Sequence, residues 1–248
     1  MSTLEKRSVM TTRLHCVAVG IAVFALASVA NASPILTLFN TGVFADGTPL
    51  ADGTLGDPHY TLVSVPGGTS TIRVRTAVGG FPIPPYIGDD ALSAWIGPNG
   101  TNPATGASDL NGPGGVYDYQ TTFDLTGFSP GSALISGQWA MDNEGINILL
   151  NGVPLGISVL DPTAGAFEGF HTFSISTGFR PGINTLDFMV QNDGNSADNP
   201  TALRVEFVSA TANPIPEPAT LLLFGAGLAC LVLRRLRRAA TKSPAPTC

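Results

Sequence analysis

The sequence predicts an all-β protein, an antiparallel two-sheet β-sandwich over residues 33–212, with an apolar segment at each end of the chain. Three observations predict it. Charged residues make up only 12% of the 248, while glycine (29) and proline (20) are abundant, a mixture that suits short strands joined by turns. Apolar and polar residues alternate with period two in run after run, which buries one face of each run. No ten-residue helical pattern occurs between the two apolar ends.

Taken in order, strands are expected at 35–43, 60–65, 71–76 and 93–96. The stretch "VYDYQTTFDL" then puts Tyr117, Tyr119, Thr121, Phe123 and Leu125 on one face and Asp118, Gln120, Thr122 and Asp124 on the other. In "ALISGQWAM", Ala133, Ile135, Gly137, Trp139 and Met141 share a face. "INILLNG" follows, and its Asn151-Gly152 is a strong hairpin turn, because both central positions of a type I′ turn need positive φ. "FHTFSIS", "NTLDFMVQN" and "ALRVEFVSA" continue the alternation, with Leu186, Phe188 and Val190, then Leu203, Val205 and Phe207, turned inward. About nine or ten such strands argue for two packed sheets, and no internal repeat is visible.

The two ends read differently from the middle. "CVAVGIAVFALASVANAS" follows Lys6, Arg7 and Arg13, has an apolar core over 17–29, and offers Ala30-Asn31-Ala32 as a small-x-small cleavage site before Ser33. Residues 1–32 are therefore expected to be a signal peptide, read by the Sec export machinery and signal peptidase; Met10 is an alternative start to Met1. At the other end, residues 219–233 form an uncharged run that as a helix rises about 22 Å, and Arg234, Arg235, Arg237 and Arg238 close it. With the arginine stems reaching toward headgroups, this run is expected to be one transmembrane helix with a cytoplasmic C-terminus. Pro216-Glu217-Pro218 before it should stay extended, since proline lacks an N–H and disfavours helix in its predecessor.

Charge and cysteine make the same partition. Between the apolar blocks stand four basic residues, Arg73, Arg75, Arg180 and Arg204, against sixteen acidic ones, a balance of −12 with no lysine. Such a surface repels nucleic acid and anionic lipid, so nucleic-acid binding is excluded. Cys16, Cys230 and Cys248 all lie outside the central region, which therefore holds neither a disulfide nor a thiolate metal site.

Pro216-Glu217-Pro218, the apolar run and the arginines Arg234–Arg238 resemble the PEP-CTERM sorting tail of exported Gram-negative proteins. The resemblance implies recognition by an exosortase, a membrane protease-transpeptidase whose systems accompany extracellular polysaccharide production. It divides the tail into a sorting segment, 213–241, and a disordered end, 242–248; the extension "AATKSPAPTC" past the arginines departs from the family. The resemblance also implies transient residence at the inner membrane, then the cell surface, a biofilm or an extracellular matrix. Residues 93–208, with Trp95, the Asp142-Asn143 pair, the Asn-Gly hairpin and "PGINTLDFMVQN", resemble the galactose-binding-like jelly rolls found in such proteins. That implies a module for glycan or matrix contact, or a scaffold without a small ligand, more than a carbohydrate-active enzyme.

Direct signs of catalysis fail on chemistry. Gly127-Phe128-Ser129-Pro130-Gly131 matches the G-x-S-x-G nucleophile elbow, but the residue after the serine must offer an N–H to an oxyanion, and Pro130 has none. His59 and His171 lie on separate strands without metal-ligand spacing, so no catalytic residue is assigned and no enzyme is expected. Calcium is the cofactor to test, because hard cations take oxygen ligands and the resembled jelly rolls often hold one. Its candidates are Asp89, Asp90, Asp142, Asn143, Glu144, Asp193 and Asp198, all in expected loops where the same residues also serve turn chemistry. For a saccharide, Trp95 beside a Gly/Pro/Asn loop and Tyr86 in "PIPPYIGDD" are the candidate contacts.

Overall fold

The computed structural model describes residues 31–101, 106, 108–160, 165–194, 199–215 and 220–240. Residues 1–30 of the expected signal peptide, Ala30 included, the Pro216-Glu217-Pro218 motif, Asp198 and the tail 241–248 lie outside the described residues. Residues Ala32–Pro214 form one compact body.

Its strands are β1 (Ser33–Pro34), β2 (Tyr60–Ser64), β3 (Ile72–Arg75), β4 (Trp95–Pro98), β5 (Gly100–Thr101), β6 (Ser108–Asp109), β7 (Gly115–Asp124), β8 (Leu134–Asp142), β9 (Glu144–Leu150), β10 (Val153–Pro154), β11 (His171–Ile175), β12 (Ile183–Asn192) and β13 (Ala202–Ala212). They build two antiparallel sheets. Sheet I runs β11-β8-β13-β4-β3, with β1 pairing the far part of β13; sheet II runs β10-β9-β12-β7-β2; β5 and β6 pair as a small ribbon. From β7 onward the long strands alternate between sheets, and the crossing from β8 to β9 takes the single residue Asn143. The body is the expected sandwich.

The alternation predicts the inner faces correctly. Tyr117, Tyr119 and Phe123 of β7, Leu186, Phe188 and Val190 of β12, and Ile148 and Leu150 of β9 face Ile135, Trp139, Met141, Leu203 and Val205 of sheet I in one buried core. Trp139 is fully buried there, and its indole N–H has no hydrogen-bond partner among the described residues. Asn151 and Gly152 take φ of 54° and 76° in the hairpin that pairs Val153 with Leu150.

The expected strand at 35–43 is corrected. Only Ser33–Pro34 is strand there, pairing with Thr211 and Ala212. The rest continues along the edge of β13 by single bonds: Ile35 N–H donates to Ala210 O (2.8 Å) and Thr41 N–H to Val205 O (3.1 Å). Side chains stand in for ladder partners between them, the Asn40 Oδ1 accepting from Phe207 N and the Thr41 hydroxyl from Val205 N. Short polar side chains that mimic a backbone acceptor compete with regular pairing.

The chain begins and ends its body at one end of the sandwich. Ser33 pairs with Ala212 there, Ser129 N–H donates to Asn213 O (2.8 Å), and Pro214 bridges Phe128. The Gly127–Gly131 stretch lies here as a turn between β7 and β8, closed by a 3-10 segment at Pro130–Ser132.

The transmembrane helix expected over 219–233 is also corrected. A helix, α1, runs Thr220–Ala240, but among the described residues no helix is long and apolar enough to cross a membrane. The physical reason is length: the uncharged part from Thr220 to Leu233 rises about 21 Å against a hydrocarbon core of about 30 Å, and arginines follow at once.

Candidate functional site

Part of sheet I, around β4, the end of β8 and the start of β13, is buried on both faces, and its outer side gathers most of the candidate residues. Along the first five residues of β13, Ala202, Leu203, Arg204, Val205 and Glu206 are all buried, although alternate ones point away from the sandwich core. The cover is the loop over 81–93 together with Phe167 and Phe170, which close over Trp95, Leu110, Ala140 and Ala202 in a second apolar cluster.

Arg204 ties this cover down. Its side chain is fully buried; Nε donates to Ser93 Oγ (2.6 Å), Nη1 to Gly88 O (2.6 Å), and Nη2 meets Asp90 Oδ1 (2.8 Å) and Glu206 Oε1 (3.2 Å). Its guanidinium lies 5.1 Å from the Phe170 ring centre. Glu206, itself buried, also accepts from the Ser93 hydroxyl (2.7 Å) and the Gln138 amide (2.8 Å). Every charge in the cluster has a partner, as burial requires.

The aromatic candidates belong to this packing. Trp95 is 0% exposed, its Nε1 donating to Ile87 O (3.1 Å), so no sugar reaches either face. A contact by Trp95 is therefore corrected to a core role. Tyr86 is half-buried, stacked on Phe167 with ring centres 4.4 Å apart and edge-on to Phe81 and Trp95. Its hydroxyl donates to Asp142 Oδ2. Burial, and then the Asp142 charge, push the phenol well above its usual range, so it stays a donor.

The calcium candidates divide. Asp89 accepts from Ala77 N (2.6 Å), and Asp90 accepts from Leu92 N (2.7 Å) and pairs with Arg204, so both hold the loop. Asp142, Asn143 and Asp193 come together at the end of the sandwich opposite Ser33 and Ala212. Asn143 Oδ1 accepts from Asp193 N (2.8 Å), and Thr201 donates to the Asp142 carbonyl (2.7 Å). Burial, opposed by the Tyr86 hydrogen bond and reinforced by the Asp193 charge, pushes the Asp142 carboxyl up to about 6. Glu144 opens β9 next in sequence. Among the described residues no group of three or more His, Cys, Asp or Glu is placed to hold a metal ion.

Of the sorting residues, Arg234 and Arg235 are exposed on α1, which also contains Arg237 and Arg238; Ser33 opens β1, preceded by Ala32. Sequence reasoning missed the Arg204 cluster. A signal existed: Arg204 is one of four cations in a region of sixteen acids, set inside an apolar strand.

Comparison with known proteins finds a family match at the tail alone. The PEP-CTERM protein-sorting motif matches residues 214–238, so the chain carries the C-terminal signature of an exported exosortase substrate. Its body is an all-β sandwich, and its tail segment begins at the last residue of that body. No curated protein matches the chain. Among solved structures it is similar to CBM35 from Paenibacillus barcinonensis (13% identity, TM-score 0.31, covering 63% of this chain and 97% of that one). It is also similar to a family 35 carbohydrate binding module from an environmental isolate (16% identity, TM-score 0.23, covering 43% and 75%).

Proposed function

We propose that this is an exosortase-processed protein of the cell surface or extracellular matrix whose sandwich is a non-catalytic glycan- or matrix-binding module. The observation that carries the sorting part is the position of the motif: it starts at Pro214, the residue whose bridge to Phe128 ends the body, so the sandwich is the passenger that the tail directs. The passenger's strongly acidic balance favours neutral partners, such as polysaccharide, over polyanions.

The C-terminal residue of the protein recovered from cells tests processing. An end near Pro216–Pro218 is expected, and an intact Cys248 overturns it. Glycan-array binding of the body, Ala32–Pro214, tests the module; an array blank at high protein concentration leaves a purely structural surface protein, and turnover of a polysaccharide makes it an enzyme. For calcium, the place to test is Asp142, Asn143 and Asp193, where a bound ion would join the β8–β9 crossing to the end of β12. A melting temperature that falls on adding a chelator supports it, and one that does not move removes it.

A further inference from the structure

The outer face of sheet II carries a cavity of about 340 Å³, lined by Thr37, Pro58, His59, Thr122, Phe123, Asp124 and Ile183. It contains none of the residues singled out from the sequence as ligand contacts. Its floor follows from strand alternation: Phe123 turns into the core, so Thr122 and Asp124 turn out, and Ile183 stands directly across from Asp124 on β12.

Its walls are built by hydrogen bonds. The Thr37 hydroxyl accepts from Asp124 N (2.8 Å), which fixes the oxygen and leaves its own O–H free to donate. Pro58 and His59 are presented by a turn around buried Asp57, whose Oδ1 accepts from His59 N (2.8 Å) and Tyr60 N (3.1 Å) and whose Oδ2 accepts from Gly42 N (2.7 Å). The His59 ring is held flat against Phe39, with centres 3.8 Å apart and planes 15° from parallel. The cavity is thus fixed by the fold.

Its chemistry selects a ligand class. Asp124 Oδ1 accepts from Thr126 N (2.7 Å), and the Thr126 hydroxyl and N–H hold the carboxyl below its usual range, so at neutral pH it is an anionic acceptor. Burial holds His59 below its usual range, and neither Lys nor Arg lines the cavity. An anionic ligand meets the Asp124 charge with no Lys or Arg in the lining to offset it. Two hydroxyls and a carboxylate beside exposed Pro58 and 65%-exposed Ile183 suit a ring with hydroxyls at its rim and C–H groups on its face. The volume is at the small end of the roughly 300–1,000 Å³ typical of ligand pockets, which fits one such ring.

We propose that this cavity is the sugar site of the sandwich and takes a single uncharged pyranose unit of a glycan, its hydroxyls on Thr37, Thr122 and Asp124 and its apolar face on Pro58 and Ile183. This rests on the glycan-binding reading and gives it a place. The test is an amide-resolved NMR titration of Ala32–Pro214, which contains every described strand and both apolar clusters, with methyl glucoside, methyl galactoside, methyl mannoside, N-acetylglucosamine and glucuronate.

At least one neutral sugar is expected to shift the amides of Thr37, His59, Thr122 and Asp124, and glucuronate to bind more weakly. Asp124→Asn keeps the shape and an acceptor oxygen but removes the charge, and is expected to weaken binding about tenfold, since a hydrogen bond to a charged acceptor is roughly twice as strong as one to a neutral one. Thr122→Phe fills the cavity from an exposed strand position and should abolish binding with an unchanged melting temperature. Binding that shifts Asn143 and Asp193 instead, and survives Thr122→Phe, overturns the cavity while the glycan reading stands. Glucuronate binding as tightly as the neutral sugars overturns the ligand class. No shift with any sugar, together with a blank array, overturns both readings.

Discussion

Replacing Arg204 by methionine should be among the most damaging single changes in the body. Methionine fills much of the same volume, so the perturbation is chiefly electrostatic. It removes the bonds to Ser93 and Gly88, the pairs with Asp90 and Glu206, and the contact over Phe170. Asp90 is 43% exposed in its side chain and can turn to water, so its share is small. Glu206 cannot. Its side chain is 6% exposed, and without Arg204 it keeps only the neutral Ser93 hydroxyl and Gln138 amide. Stranding a buried charge by removing its partner costs about 3–5 kcal/mol. Urea unfolding of Ala32–Pro214 should show a loss of this size with an unchanged slope. Glu206→Gln in the Arg204→Met background removes the stranded charge and should recover about 1–3 kcal/mol, a coupling that a double-mutant cycle reads directly. A loss below about 1 kcal/mol, or no recovery with glutamine, would refute the reasoning that the 81–93 loop is held down by a buried charge pair.

Two further changes probe the candidate site and the core. Asp142 titrates higher in the fold than in the unfolded chain, so its ionisation subtracts stability as pH rises from about 4 to about 6, by up to about 3 kcal/mol. Asp142→Asn, unfolded in urea with chelator throughout, should match the parent near pH 4 and gain on it by pH 7; a gap that stays constant with pH contradicts the assignment. Asp118, pushed up to about 6 by burial and then by the Asp187 charge, titrates in the same direction, so the variant flattens the profile only in part. Gly145→Ala places a methyl group against the Trp139 indole inside the core. Overpacking of this kind costs about 1–3 kcal/mol, read as a lower melting temperature, and an unchanged one would mean that the indole yields freely.

How much was legible depends on which face of a strand is asked about. Period-two alternation names the inner residues of β7, β8, β12 and β13, because their buried side chains share one apolar core and their neighbours point elsewhere. It fails at Ala202–Glu206, where all five residues are buried: the second face is covered by a loop from over a hundred positions earlier. Trp95 was misjudged for the same reason. Beside a Gly/Pro/Asn loop it looks accessible, yet Phe81, Tyr86 and Phe167 close over it from two separate segments. The 35–43 stretch has strand-like composition, but Asn40 and Thr41 spend their side chains on the backbone of β13 and break the ladder.

By itself the sequence determined the class of the body, the inward set of the long strands, the Asn-Gly hairpin and the sorting motif, since each depends on near neighbours along the chain. Only the tertiary structure decided which carboxylates meet, that Trp95 is core, that Arg204 is buried among five partners, and that Thr37, His59, Thr122, Asp124 and Ile183 line one open cavity. Those groups lie tens to more than a hundred residues apart. Their meeting depends on how two sheets and their covering loops close, and local periodicity carries no record of that.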